Sequence, residues 1–164
     1  MTPELHRPFA IDLLGSAGAD IVVDANTEEC AALARRMKLP AVVALTCNFH
    51  LERDFGAMIM VRGRLFARVV QTCVISLEDF EADVAEQFTV RCVPEGEESD
   101  NPDPESLDEI TYAHGVLDLG EAAAEQLALA LDPYPRAPDA VLPEAEGEPD
   151  ANPFAALTAL KRPN

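Results

Sequence analysis

Over residues 80–92 the side chains largely alternate in character. Phe80, Ala82, Val84, Phe88, Val90 and Cys92 are apolar, while Glu81, Asp83, Gln87, Thr89 and Arg91 are polar. A period of two sustained this long predicts extended backbone, with one face on a core and the other in water. A helix would scatter the same apolar positions around its circumference. Two earlier stretches repeat the pattern. Leu45, Cys47, Phe49 and Leu51 alternate with Thr46, Asn48, His50 and Glu52; from Ile59 onward Val61, Leu65, Ala67 and Val69 share one face and Arg62, Arg64 and Arg68 the other. Half-buried antiparallel strands follow, and the opposite-sign outer faces predict that the arginines pair with Glu81 and Asp83. Shorter strand-like runs at 9–13 and 21–25 flank a Gly15-Ser16-Ala17-Gly18 turn.

Two segments have helical spacing instead. Thr27 reads as an N-cap, with Glu28 and Glu29 in the first turn, where the helix dipole favours anions. Cys30, Leu33, Ala34 and Met37 then form an apolar stripe, and Leu39-Pro40 stops it. Asp118 and Glu121 have capping-box spacing ahead of Leu119, Ala123, Leu127 and Leu131, and Asp132-Pro133-Tyr134-Pro135 ends that helix. The pattern predicts one α+β domain over residues 1–135: a mainly antiparallel sheet with two principal helices. Within it, 94–111 reads as an acidic, mobile loop, because 95–109 hold eight acids, Glu97, Glu98 and Asp100 among them, and little that is apolar. Residues 136–164 read as a largely disordered, acidic, Pro- and Ala-rich tail ending in Asn152-Pro153-Phe154. There Phe154, Leu157 and Leu160 offer three anchors on roughly one face. So short a helix does not stand alone in water. The segment therefore docks on its own sheet, docks on a partner, or frays.

Charge narrows the choice of partner. Of 164 residues, 12 are basic and 30 acidic, for a net charge of −18. Residues 1–77 hold eight of each sign, so residues 78–164, with 22 acids and four bases, carry the whole excess. Extensive nucleic-acid binding needs Lys and Arg to displace counterions, and an anionic membrane repels the same charge. Cationic partners suit this half. No apolar run is long enough to cross a membrane and no signal-peptide pattern opens the chain, so the expected location is cytoplasmic. Cys30, Cys47, Cys73 and Cys92 lie far apart and read as buried thiols. The chain has no G-x-S-x-G, H-E-x-x-H, P-loop or calcium-loop order, and His6, His50 and His114 stand without ligand-spaced neighbours. The residues thus predict no enzyme, cofactor, metal site or small-molecule substrate.

The stretch from Gly63-Arg64-Leu65-Phe66 through Cys73-Val74-Ile75-Ser76-Leu77 to Asp79-Phe80 resembles the YceD family, the large ribosomal RNA subunit accumulation proteins. Those members show a strand ending in C-x-x-C-L, a second strand, an acidic loop and an Asp-Leu-led helix closing on an L-x-L-x-x-x-P-like end. Here the last parts read Gly115-Val116-Leu117-Asp118-Leu119 and Leu127-Ala128-Leu129-Ala130-Leu131-Asp132-Pro133. The likeness runs over residues 5–135, with Asn152-Pro153-Phe154 similar to the family's end. Many members have two cysteines in the C-x-x-C and more beyond the final prolines. In this chain Cys73 remains, Ser76 takes the second position, and Arg136, Ala137 and Pro138 follow without a thiol. One thiolate does not make a four-ligand zinc site, so packing is expected to hold that corner.

The resemblance implies a non-enzymatic role in large-subunit biogenesis, supporting 23S ribosomal RNA accumulation. Charge points to a basic large-subunit ribosomal protein, or a pre-50S particle, met through Glu97, Glu98, Asp100, Asp118 and Leu119 and the anchors Phe154, Leu157 and Leu160. The alternative is a direct, limited rRNA contact through the Arg62, Arg64 and Arg68 face.

Overall fold

A computed structural model of the chain describes residues 3–99 and 106–142. Asp100 and the segment bearing Phe154, Leu157 and Leu160 lie outside the described residues, as do most of the tail and the middle of the acidic loop. Within them the fold is α+β, with a mainly antiparallel sheet and two α-helices.

The main sheet has the order β2-β3-β4-β5-β6, formed by β2 (Ala19–Asp24), β3 (Ala41–Arg53), β4 (Ile59–Thr72), β5 (Asp79–Pro94) and β6 (Glu109–Tyr112). The first four strands are antiparallel neighbours, and β6 runs parallel to β5. A separate pair joins β1 (Pro8–Ala10) to β7 (Val116–Asp118), bringing the N-terminal segment beside the start of the last helix. Register aligns the apolar rows: Cys47 lies opposite Leu65, Leu51 opposite Val61, and Val61 opposite Val90. These rows form one buried layer with Cys30 and Leu33 of α1 (Thr27–Met37) and Ala123 and Leu127 of α2 (Leu119–Ala130). Both helices thus cover the same face of the sheet. The other face presents Asn48, Arg62, Arg64, Phe66, Arg68, Asp83 and Gln87 to solvent.

Several local expectations are corrected. Of the strand-like run 9–13, only the beginning pairs; Ile11–Leu13 is a single 3-10 turn. Ile11 and Leu14 are both buried, and a turn, unlike a strand, can aim residues three apart at one core. Asn26, not Thr27, caps α1. Its side-chain oxygen accepts the N–H groups of Glu28 and Glu29, and the Glu29 carboxylate accepts the N–H of Asn26. Asn26 wins because its reciprocal partner stands three residues on. Lys38, with φ at 57°, closes the helix before Pro40 is reached. The acidic segment is also shorter at its C-terminal end than the loop expected over 94–111. Glu109–Tyr112 joins the sheet because Ile110 and Tyr112 are apolar enough to pack against the core. The Tyr112 hydroxyl also donates to the Ala57 carbonyl at 2.6 Å.

Gly120, in the first turn of α2, is where the N-terminal segment touches the helix. An added Cβ there would stand 2.4 Å from the Leu5 carbonyl oxygen and 2.7 Å from its carbon, both backbone atoms. Helix propensity favours Ala over Gly, so the contact opposes the local preference. We predict that Gly120→Ala destabilises the protein by about 1–3 kcal/mol, the scale of overpacking, in a denaturant titration. A gain in stability would show that Leu5 yields freely.

Candidate functional site

The arginines project from the uncovered face of β4. Arg68 Nε donates to Asp83 on β5 at 2.7 Å, the cross-strand pair expected from the outer charges. That guanidinium holds the Asp83 carboxyl below its usual range. Arg62 turns the other way and donates to Glu52 on β3 at 2.8 Å, not to Glu81 or Asp83. In the register His50 sits opposite Arg62, which leaves Glu52 as a diagonal neighbour on the same face. Hydrogen bonds from His50 and then Arg62 keep Glu52 low, while Asp20 and Glu52 raise His50. Arg64 stands between Asn48 and Gln87 in the register and forms no ion pair among the described residues. Beside it lies a shallow hollow of about 490 Å³, lined by Asn48, His50, Arg62, Arg64, Gln87 and Phe88 among others. Phe66 shares this face and is 53% exposed. Its signal was present in the sequence: an aromatic at an outward position of an otherwise clean alternation.

Of the acidic residues, Glu97 and Glu98 are exposed just beyond the Glu95-Gly96 turn that follows β5, where Gly96 adopts a φ of 90°. Asp118 and Leu119 belong to the fold instead. Leu119 is buried in the core, which removes it from any surface. Asp118 caps α2 by accepting the N–H groups of Gly120 and Glu121, and it also accepts the N–H of Arg7 at 2.9 Å and meets the His6 ring. Burial pushes its carboxyl up, but the Arg7 N–H, His6 and the Glu121 N–H outweigh this and hold it below the ordinary Asp range. The capping-box spacing is not completed in the usual way, because the Glu121 carboxylate is taken by Arg36 of α1 at 2.9 Å.

Cys73 follows the last residue of β4 and is buried, as expected of a strand-end thiol. Its sulfur accepts the N–H groups of Ile75 and Ser76, each at 3.4 Å. The Ser76 hydroxyl and the Ser76, Ala137 and Ile75 amides together lower this thiol to about 7, whereas burial drives Cys47 and Cys92 up to about 12. The donor set does not suit zinc. Cys73 is the only thiol at the corner, and no group of three or more His, Cys, Asp or Glu able to hold a metal occurs among the described residues. Hydrogen bonds hold the corner: Val74 N–H to the Pro135 carbonyl at 2.9 Å, Cys73 N–H to Glu78 at 2.8 Å, and the Gln71 amide to Asp132 at 3.2 Å. Among the described residues, no helix is long and apolar enough to cross a membrane.

A family model described as large ribosomal RNA subunit accumulation protein YceD matches residues 61–161. The match begins inside β4 and takes in β5, the acidic segment, β6, β7 and α2. Comparison with curated proteins and with solved structures finds no match.

Two pH dependences follow. Cys73 should form thiolate near pH 7, well before Cys47 and Cys92, in a titration followed by thiol Cβ chemical shifts. Co-titration of all three would dispose of the amide nest as its cause. Asp118 has a folded pKa below its unfolded one, so its contribution is present above the ordinary Asp range and is lost as pH falls through the depressed value. Asp118→Asn should therefore flatten the acid limb of stability against pH. It should also cost about 1 kcal/mol at neutral pH, because the bonds from the Arg7 N–H and the His6 ring lose their charged acceptor, while Asn keeps the cap itself.

Proposed function

The chain belongs to the YceD family of large ribosomal RNA subunit accumulation proteins, and from that premise we propose a non-enzymatic factor in large ribosomal subunit biogenesis. It supports 23S ribosomal RNA accumulation by binding a basic ribosomal protein, free or on a pre-50S particle, through its acidic half. The observation carrying this reading is the segregation of charge, with the entire −18 in residues 78–164. Such a field raises the association rate of a cationic partner and repels naked RNA. The engagement of Arg62 by Glu52 and of Arg68 by Asp83 adds support, since two of the three strand arginines already face carboxylates.

A second reading rests on a separate observation. Arg64 is exposed without an ion pair among the described residues, beside Asn48, Gln87 and the exposed Phe66. A guanidinium, two amides and an aromatic ring make a group that could stack on and hydrogen-bond a single-stranded base. One such contact gives local rRNA touching, not coating.

Affinity purification at low salt, with protein and RNA both identified, tests the two readings. The expected result is a basic large-subunit protein whose retention weakens with added salt and drops roughly tenfold when Glu95, Glu97 and Glu98 become Gln. If RNA is retained alone, and is lost on Arg64→Glu but not on neutralising the acids, the second reading replaces the first.

A further inference from the structure

One edge of β5 is long and unpaired. β4 accompanies β5 from Asp79 to Cys92, whereas β6 lies against the opposite edge only from Arg91 to Pro94. Along residues 79–90 no strand among the described residues covers that edge. Its orientation is fixed by one hydrogen bond. The Arg91 N–H points away from β4 and donates to the Asp108 carbonyl at 2.9 Å. In an antiparallel ladder alternate residues face the same way, so the N–H and C=O groups of Glu81, Asp83, Ala85, Gln87 and Thr89 point outward along the same edge. The open stretch is roughly 40 Å long at about 3.3 Å per residue.

The side chains beside this edge specify what would fit. On the helix-side face Phe80, Ala82, Val84 and Phe88 are only half buried. On the other face Glu81 and Asp83 are exposed, and Asp83 keeps most of its carboxylate in solvent although Arg68 binds it. Between residues 79 and 90 there is no Lys, Arg or Pro, and the register with β4 is continuous, so the strand itself lacks the usual basic, proline or bulge protection of a free edge, although Pro135 and Arg136 line a hollow with residues 80–86. Acids stand in its place: Asp79, Glu81, Asp83 and Glu86. A second copy laid along the edge would oppose like charges. A strand with apolar residues alternating with Lys or Arg would continue the half-buried row on one face and neutralise Glu81 and Asp83 on the other.

We propose that the free edge of β5 takes an extended basic segment of a protein partner as an added strand. This rests on the reading that the partner is a basic protein and specifies where and how it is held. Main-chain hydrogen bonds supply affinity, and the alternating acidic and apolar neighbours select the segment. Such a segment, unstructured when free, would be ordered by the ladder it joins.

The test uses the full chain and total protein extracted from 50S subunits as the probe. Ala85→Pro and Gln87→Pro each delete an outward N–H without removing a hydrogen bond to β4, and Pro is tolerated on edge strands. Each should weaken retention of the basic protein roughly tenfold, the worth of a main-chain hydrogen bond whose partner is stranded. Retention at wild-type strength would overturn the edge proposal and leave the ribosomal-protein reading standing. If wild type retains no basic protein, or only RNA, that reading fails and the proposal with it.

Amide exchange on wild type removes any dependence on how the variants fold. With a synthetic peptide of alternating Lys and Val, the Glu81, Asp83, Ala85, Gln87 and Thr89 amides should slow, while those facing β4 stay as slow as before. Outward amides already protected in the free protein would mean that the chain's own tail or a second copy covers the edge. Outward amides left fast at saturating peptide would show that no strand is added. Either outcome overturns the proposal.

Discussion

Phe88 lies over Gly63, and the register of the three long strands depends on that notch. An added Cβ at Gly63 would stand 2.0 Å from the Phe88 ring, which meets Phe49 on β3 edge-on at a centroid distance of 5.9 Å. Phe49, Gly63 and Phe88 are direct partners across β3, β4 and β5. The glycine flanked by Arg62 and Arg64 therefore clears space for an aromatic pair bridging two strands that do not touch. A slip of β4 by one residue would press an arginine into that space and turn Leu65, Ala67 and Val69 toward water. The contact thus fixes which face of β4 is core and which carries cations.

The ends of the domain are closed by polar contacts of a different kind. Arg7 binds the Glu29 carboxylate through both terminal nitrogens, while its N–H donates to Asp118 and its carbonyl accepts from Leu119. One residue near the N-terminus so ties the caps of both helices together. Arg36 adds a second tie, binding Glu4 and Glu121 from the last turn of α1. At the other end backbone amides hold the Cys73 corner. The backbone there holds Leu77 at a φ of 60°, a conformation Gly adopts more easily. What remains is a tight turn whose sulfur accepts hydrogen bonds and whose neighbours, Pro135 and Ala137, come from the chain beyond α2.

The sheet was legible because alternation records burial directly, and the inward rows of β3 and β4 are buried as their pattern required. β6 was hidden, because a strand of four residues starting in an acidic run looks like loop until Ile110 and Tyr112 find the core. Thr27 and Asn26 are both good caps, and only the reciprocal bond to Glu29 distinguishes them. The site was less legible for a physical reason. The β4–β5 register sets Thr89 opposite Arg62 and leaves Glu81 and Asp83 far along the strand, so Glu52 on β3 is the carboxylate within reach; alternation alone does not encode that register. Leu119 and Asp118 looked available because a capped helix start resembles an exposed one until the segment docked against it is known.

Acidity on β5 has two consequences that differ in sign. Toward another copy of the chain it acts as protection, doing for this edge what lysines do elsewhere: a second β5 would bring its own carboxylates close to those of Glu81, Asp83 and Glu86. Toward a cationic strand the same groups are an attraction, and Glu86, which breaks the half-buried row opposite Leu65, becomes a position that asks for a Lys or Arg rather than a defect. A neutral edge would aggregate and a lysine-bearing edge would repel a basic partner. On the proposed pairing, carboxylates are the charge choice that both opposes pairing of β5 with itself and leaves its backbone open to a basic protein.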